Sequence, residues 1–185
     1  MAIQQLDPQF VTAYKAIRLE ALRECPAVFN SSYEEEKERP LSDFANSLVP
    51  SSNRITFGAF DTTQLIAIVS VTRNNRKKVN HKGNISGMYV STNYRGRGFG
   101  RQLLAYALEF ADSKVKLVQM TLVVNATNTS AISLYESFGF KTFGIEPLAA
   151  IIDGVPQDQM HMVRLKPFAF SNMGLQSRIE TRSHL

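Results

Sequence analysis

The stretch Met88-Tyr89-Val90-Ser91-Thr92-Asn93-Tyr94-Arg95-Gly96-Arg97-Gly98-Phe99-Gly100-Arg101 decides how the rest of the chain is read. An apolar run ends at Val90. Three glycines and three arginines follow within the seven residues Arg95–Arg101, and a helical pattern then runs from Gln102 to Ala111. This is a strand, a tight turn and a helix N-terminus. Glycine lets a ligand approach the backbone closely, and the first N–H groups of a helix have no partner inside it. The positive end of the helix dipole adds attraction for an anion. Such a turn suits a pyrophosphate.

Spacing sorts the candidate phosphate loops. A P-loop requires Gly-x-x-x-x-Gly-Lys-Ser/Thr, and no such run exists. A dinucleotide fingerprint requires Gly-x-Gly-x-x-Gly, which Gly96, Gly98 and Gly100 fit poorly. The pattern from Arg95 to Gly100 is Arg-x-x-Gly-x-Gly. A second motif lies downstream of the apolar run Leu117 to Val124, which reads as a buried strand. It comprises Asn128, Ala131, Leu134, Tyr135, Gly139 and Phe140, spaced as Asn-x-x-Ala-x-x-Leu-Tyr-x-x-x-Gly-Phe. Asn128 can cap a helix reaching Phe138, and Gly139 can end it. Tyr135 follows Asn128 by seven residues, close to two helical turns, so both can face one side.

With its two motifs in this order, the chain resembles the GNAT N-acetyltransferase superfamily. The likeness is motif-specific from about Ile85 to Phe140 and covers most of the chain in element order. It implies direct transfer of an acetyl group from acetyl-CoA to an amine, and a mixed α/β sheet that splays between its fourth and fifth strands. It further implies that the backbone of Met88, Tyr89 and Val90 holds the pantetheine arm, that Gly96, Arg97, Gly98, Phe99, Gly100 and Arg101 wrap the pyrophosphate with Arg95 at the leading position of this cofactor motif, and that Asn128 holds the arm from the other side. Tyr135 would donate a proton to the leaving thiolate, a role that suits a phenol protonated at neutral pH. A backbone N–H on the Met88 strand could stabilise an oxyanion. A homodimer through the C-terminal strands rests on resemblance alone.

The general base departs from the family. Many relatives place a carboxylate on the fourth or fifth strand, but Ile85-Ser86-Gly87-Met88 and Thr121-Leu122-Val123-Val124 contain no Asp, Glu or His. A water relay, a carboxylate from the Glu34–Glu38 run, or an acceptor that arrives neutral would each answer this. The acidic run reads first as a solvated loop; its functional reading is a clamp for a cationic substrate. His81, near a strand start, is a weaker candidate, and His161, between Met160 and Met162 on the last strand, reads as structural.

Length and composition agree with one domain. A chain of 185 residues, 44% hydrophobic and 20% charged, is long enough for a proper core. The net charge of +5 is modest and does not require nucleic acid. With Cys25 as the single cysteine, no internal disulfide can form. Residues 1–10 show neither a charged n-region nor an apolar h-region, and no run approaches the ~20 residues of a membrane span. The cytoplasm is the expected location, without membrane attachment, specific nucleic acid or metal.

The expected elements are a strand at Ala2–Leu6, a helix started by Asp7-Pro8 and ended by Pro26, a polar loop at Ser31–Arg39, and a helix at Leu41–Leu48. Strands at Arg54–Phe60, Gln64–Arg73 and Lys78–Val90 come next, with a hairpin at Asp61-Thr62-Thr63 and a turn at Asn74–Lys77. After the glycine loop come a helix at Arg101–Ser113, a strand at Lys116–Val124, a helix at Asn128–Phe138, and strands Phe140–Ile152 and Gln157–Lys166 joined at Asp153-Gly154. The order is β-α-α-β-β-β-α-β-α-β-β. Residues 1–166 form one domain, and 167–185 read as a mobile tail. Pro26–Pro50, Asn74–Lys82 and Ile145–Gln159 are the segments expected to build the acceptor pocket. Two other functions stand beside catalysis: a coenzyme A sensor without turnover, which the retained Tyr135 argues against, and a nucleic-acid-binding domain using Arg73, Arg76, Lys77, Lys78 and the arginine loop, which has few aromatics for stacking.

Overall fold

A computed structural model describes residues 2–29 and 31–166. The seven strands are β1 (Ala2–Gln5), β2 (Arg54–Asp61), β3 (Gln64–Arg73), β4 (Lys82–Val90), β5 (Gln119–Asn125), β6 (Lys141–Ile152) and β7 (Val155–Leu165). They form one sheet in the order β1-β2-β3-β4-β5-β7-β6. The helices are α1 (Val11–Glu24), α2 (Tyr33–Lys37), α3 (Leu41–Leu48), α4 (Phe99–Ser113) and α5 (Thr129–Glu136). The tail at 167–185 lies outside the described residues.

The sheet is covered on both faces. One core joins β3, β4 and β5 to α4 through Leu103, Leu104, Ala107 and Leu108. The other packs Tyr14, Ile17 and Ala21 of α1 and Phe44 and Leu48 of α3 against Phe60, Leu65, Ile68 and Tyr89. Strand β3 is buried continuously from Leu65 to Val71, which is why its sequence reads as an apolar run rather than an alternation.

Several boundaries differ from the expected ones, each for a local reason. The polar segment Ser31–Arg39 is not simply a solvated loop, because it contains α2. Ser32 and Glu35 form a reciprocal capping box, with Ser32 Oγ accepting from Glu35 N and Glu35 Oε2 accepting from Ser32 N. This adds a third helix before β2. Strand β4 begins at Lys82, after a 3₁₀ turn at Lys77–Val79, rather than at Lys78. Helix α4 starts at Phe99, two residues early, with Gly98 at its N-cap (φ +80°). Strand β5 cannot begin at Lys116, whose φ is +57°. Helix α5 ends at Glu136 in a Schellman turn: Phe140 N donates to Tyr135 O at 3.2 Å and Gly139 N to Glu136 O at 2.9 Å. Strand β7 starts early, at Val155, because Asp153-Gly154 closes a two-residue hairpin with both φ positive.

The parallel pair β4–β5 positions the site. It is paired only at Lys82↔Gln119, Gly83↔Met120 and Asn84↔Thr121. Beyond Asn84 the strands part, so the β4 edge from Ile85 to Val90 has no strand partner on that side. Opposite, Val69 of β3 faces both Gly87 and Met88, a β-bulge made at Gly87 (φ +62°). The strand bends at the point where the gap opens.

Candidate functional site

A cavity of about 530 Å³ lies between β4, α4 and α5. It brings together Met88, Tyr89, Val90, Arg95, Gly96, Gly98, Phe99, Gly100, Arg101, Asn128 and Tyr135, eleven of the twelve residues read as a site from the sequence. Arg97 does not line it. Its guanidinium lies exposed over the rings of Tyr94 and Phe99, 5.4 and 5.0 Å from their centroids. Cys25, Val28, Tyr94, Ser130, Ala131 and Leu134 also line the cavity; apart from Ala131 and Leu134 of the second motif, they carry no local signature.

Each wall has a local cause. Gly96 (φ +71°) and Gly98 turn the loop back so that α4 begins facing the cavity. The N–H groups of Phe99, Gly100 and Arg101 precede the first helical bond, donated by Gln102 to Gly98 O. Gly100 is where α4 touches β4: a Cβ there would sit 3.3 Å from Val90 Cγ2 and 3.4 Å from Met88 Cε. Arg95 is turned inward. Its Nε donates to Val90 O at 3.0 Å, its Nη2 lies 3.5 Å from Cys25 Sγ, and it stacks over Tyr89. It therefore ties the loop to the end of β4. Arg101 bridges to α5 by donating to Ser137 Oγ at 2.8 Å.

On the opposite wall, Asn128 caps α5. Its Oδ1 accepts from Ala131 N and Ser130 Oγ, both at 3.1 Å, which leaves Nδ2 as a donor. Tyr135 is 8% exposed, and its hydroxyl points at Met88 Sδ, 3.7 Å away. Burial pushes its pKa up to about 12. The phenol of Tyr89 instead belongs to the other face: burial, with Glu20 accepting its hydroxyl at 3.0 Å, raises it to about 12. Only the backbone of Tyr89 is available to a ligand in the gap.

A second cavity, about 500 Å³, lies across the bulge. It includes Gly87, shares Val28 with the first cavity, and is lined by Arg18, Glu36, Arg39, Asp43, Arg54, Ser70, Asn84, Ser86 and Asn125. Two of the three segments expected to form the acceptor pocket contribute, Pro26–Pro50 through several residues and Ile145–Gln159 through Gln159 alone. The Asn74–Lys82 turn does not, because it sits at the closed end of the β4–β5 pair, where His81 O accepts from Val118 and Gln119. The same geometry removes His81 from the junction. His161 lies on β7 against Glu146, 2.9 Å away. Glu36 is 5% exposed and bound by both Nε and Nη2 of Arg18, at 3.0 and 2.7 Å. Burial alone would raise its pKa, but the Arg18 hydrogen bonds and charge outweigh that and hold it below the ordinary value.

Among the described residues no cluster of three His, Cys, Asp or Glu could hold a metal, and no helix is long and apolar enough to cross a membrane.

A splayed β4–β5 pair with a glycine-rich helix start beside it corresponds to a known profile. The acetyltransferase (GNAT) family matches residues 16–140, more than half of the chain, and the chain belongs to this family. It is similar in structure to the GNAT-family acetyltransferase of Streptococcus pneumoniae, with a TM-score of 0.78 and 26% identity over 89% of this chain and 99% of that one. In sequence it is 30% identical over 123 residues to an uncharacterized protein of Mycobacterium leprae, covering 66% of this chain. It is 28% identical over 80 residues, 43% of this chain, to the L-amino acid N-acetyltransferase AaaT of Escherichia coli. The matched segments span 33% and 49% of those two relatives' own lengths.

Proposed function

We propose that the protein is an acetyl-CoA-dependent N-acetyltransferase that passes the acetyl group directly to an amine held in the second cavity. One observation carries the reading: two cavities flank the β4 bulge, Gly87 lining the second and Met88 the first, and the Tyr135 hydroxyl reaches Met88 on the unpartnered edge of β4. The donor cavity fits its ligand. An open strand edge accommodates an extended amide-bearing arm, and bare helix N–H groups behind a glycine loop accommodate a pyrophosphate.

Bound acetyl-CoA supplies an acetyl group activated as a thioester. The N–H groups of Phe99, Gly100 and Arg101 hold the pyrophosphate, with Gly96 and Gly98 allowing close approach and Arg97 adding charge from the rim. Met88, Tyr89 and Val90 present backbone groups to the arm, and Asn128 Nδ2 donates from the other wall. Arg95 keeps the loop in place through Val90. Tyr135 holds its proton throughout neutral pH. A pKa of about 12 lies above the ~8.5 of an ordinary thiol, so full proton transfer to a thiolate is uphill. Its role is narrower than proton donation: it donates a hydrogen bond to the departing sulfur. A cytoplasmic location goes with the single cysteine. The exposed Phe143, Ile145 and Leu148 of β6 support a homodimer.

Melting temperature measured with acetyl-CoA, free coenzyme A and a nucleic-acid oligomer, followed by thiol release across a panel of amines, tests the reading. Both coenzymes raise the melting temperature, the oligomer does not, and at least one amine releases thiol. No shift with either coenzyme would overturn the assignment. A shift without thiol release from any amine would replace the enzyme with a sensor.

A further inference from the structure

If the transferase reading holds, the second cavity also defines the acceptor it takes. Its floor is a polar patch on an otherwise apolar sheet face. Arg54, Thr72 and Asn84 align across β2, β3 and β4, and Thr56, Ser70 and Ser86 form the next row. The hydroxyls of Thr56 and Ser70 bond each other at 2.8 Å. Thr72 Oγ1 donates to Asn84 O at 3.4 Å and Asn84 Nδ2 to Thr121 O at 3.1 Å, so the floor is satisfied as it stands and suits a ligand's polar groups as further partners.

Charge gives the sign of those partners. Three of the four acidic side chains of the run are engaged internally, Glu34 with Lys37, Glu35 with Ser32 N and Glu36 with Arg18, and the fourth, Glu38, is exposed and does not line the cavity. The other lining carboxylate, Asp43, lies 3.4 Å from Arg39 Nε, which leaves both Nη groups of Arg39 for other acceptors. Arg54 makes no ion pair among the described residues. Three arginines thus face two carboxylates, and both carboxylates are engaged. The lining offers a polycation no uncommitted carboxylate and offers an anion a surplus of donors.

We propose that the acceptor is a small primary amine that also bears an oxyanion, such as a carboxylate, with Arg54 and the free Nη groups of Arg39 receiving the anion and the amine turned toward Gly87. This also bears on the missing base. Both carboxylates lining the cavity are engaged by arginines, so neither serves as that base, and the amine attacks from its neutral form drawn from solution. The nitrogen–carbon bond forms, the carbon–sulfur bond breaks, and the proton lost by nitrogen ends on sulfur; amine and thioester become amide and thiol with no further reactant.

The test uses the full chain with saturating acetyl-CoA and a free-thiol readout. α-Amino acids are paired with their carboxamides and decarboxylated amines, beside aminoalkylphosphonates and spermidine. The proposal expects kcat/KM for the anionic amines to exceed that of their uncharged counterparts by roughly tenfold or more. Carboxylates and phosphonates are told apart by rank. Arg54→Gln removes most of this preference by raising KM, Arg54→Lys restores part of it, and acetyl-CoA affinity stays as in the parent. Equal or faster turnover of the carboxamides, decarboxylated amines or spermidine would overturn the proposal while leaving the transferase intact. An acetyl-CoA-induced melting shift without thiol release from any amine would overturn both.

Discussion

Tyr135 contributes to the site through what surrounds it. Its ring packs edge-on to Phe140 at 6.0 Å between centroids, and its hydroxyl meets a thioether rather than a charge. Nothing nearby stabilises a phenolate, so burial acts unopposed. Tyr135→Phe keeps the ring packing and removes the hydroxyl, and with it the contact to Met88 Sδ and the proposed hydrogen bond to the leaving sulfur. It should lower kcat about 10²-fold and leave acetyl-CoA affinity within about threefold, read by steady-state kinetics and calorimetric titration. Because the folded pKa is raised to about 12, this group stays protonated up to about pH 11, and the wild-type rate should show no alkaline limb from it below that pH. Unchanged kcat in the variant would remove Tyr135 from the chemistry.

The elements around the gap are held by two devices, one at each cavity. On the donor side, the loop relies on left-handed glycines at 96 and 98. Gly98→Val puts a β-branched residue at φ +80°, a strain of roughly 1–2 kcal/mol, on the helix cap proposed to receive the pyrophosphate. Acetyl-CoA should bind at least tenfold more weakly to the folded variant, by calorimetric titration; unchanged binding would place the loop away from the ligand. On the acceptor side, the Arg18–Glu36 pair fastens α2 to α1. Since Arg18 outweighs burial and depresses the Glu36 pKa, the carboxylate adds stability above the unfolded value of 4.5 and loses it as pH falls through the lower folded value. Glu36→Gln should cost about 2 kcal/mol at pH 7 and progressively less below pH 4, read from urea midpoints. A pH-independent difference would mean that the charge of Glu36 contributes nothing.

At the scale of the whole molecule, the two halves of the site differ in how they are encoded. The lining of the first cavity, the proposed donor half, was legible because most of it lies in two short motifs and the strand before them. One helix start carries Gly96 to Arg101, one helix carries Asn128 and Tyr135, and local geometry alone brings each set to a common face. The acceptor half was not. Arg18, Arg54, Ser70, Asn84 and Gln159 come from five separate elements, brought together only by the register of β2, β3 and β4, the β5–β7 pairing and the packing of α1 on the sheet. Ser70 and Thr72 do interrupt the apolar run of β3, which is the one trace of the polar floor in the sequence. The acidic run misled for a related reason. Its charges look solvated in isolation, but the partner of Glu36 is a single arginine eighteen residues earlier on α1. The splay itself follows from pairing that stops at Asn84↔Thr121, a property of the sheet rather than of any segment. Amide hydrogen exchange with and without coenzyme A tests this central feature most directly. The account predicts protection concentrated in Met88–Val90 and Gly96–Arg101, with the β2–β3 hairpin unchanged. Binding without protection in those two segments, or with protection centred elsewhere, would contradict it.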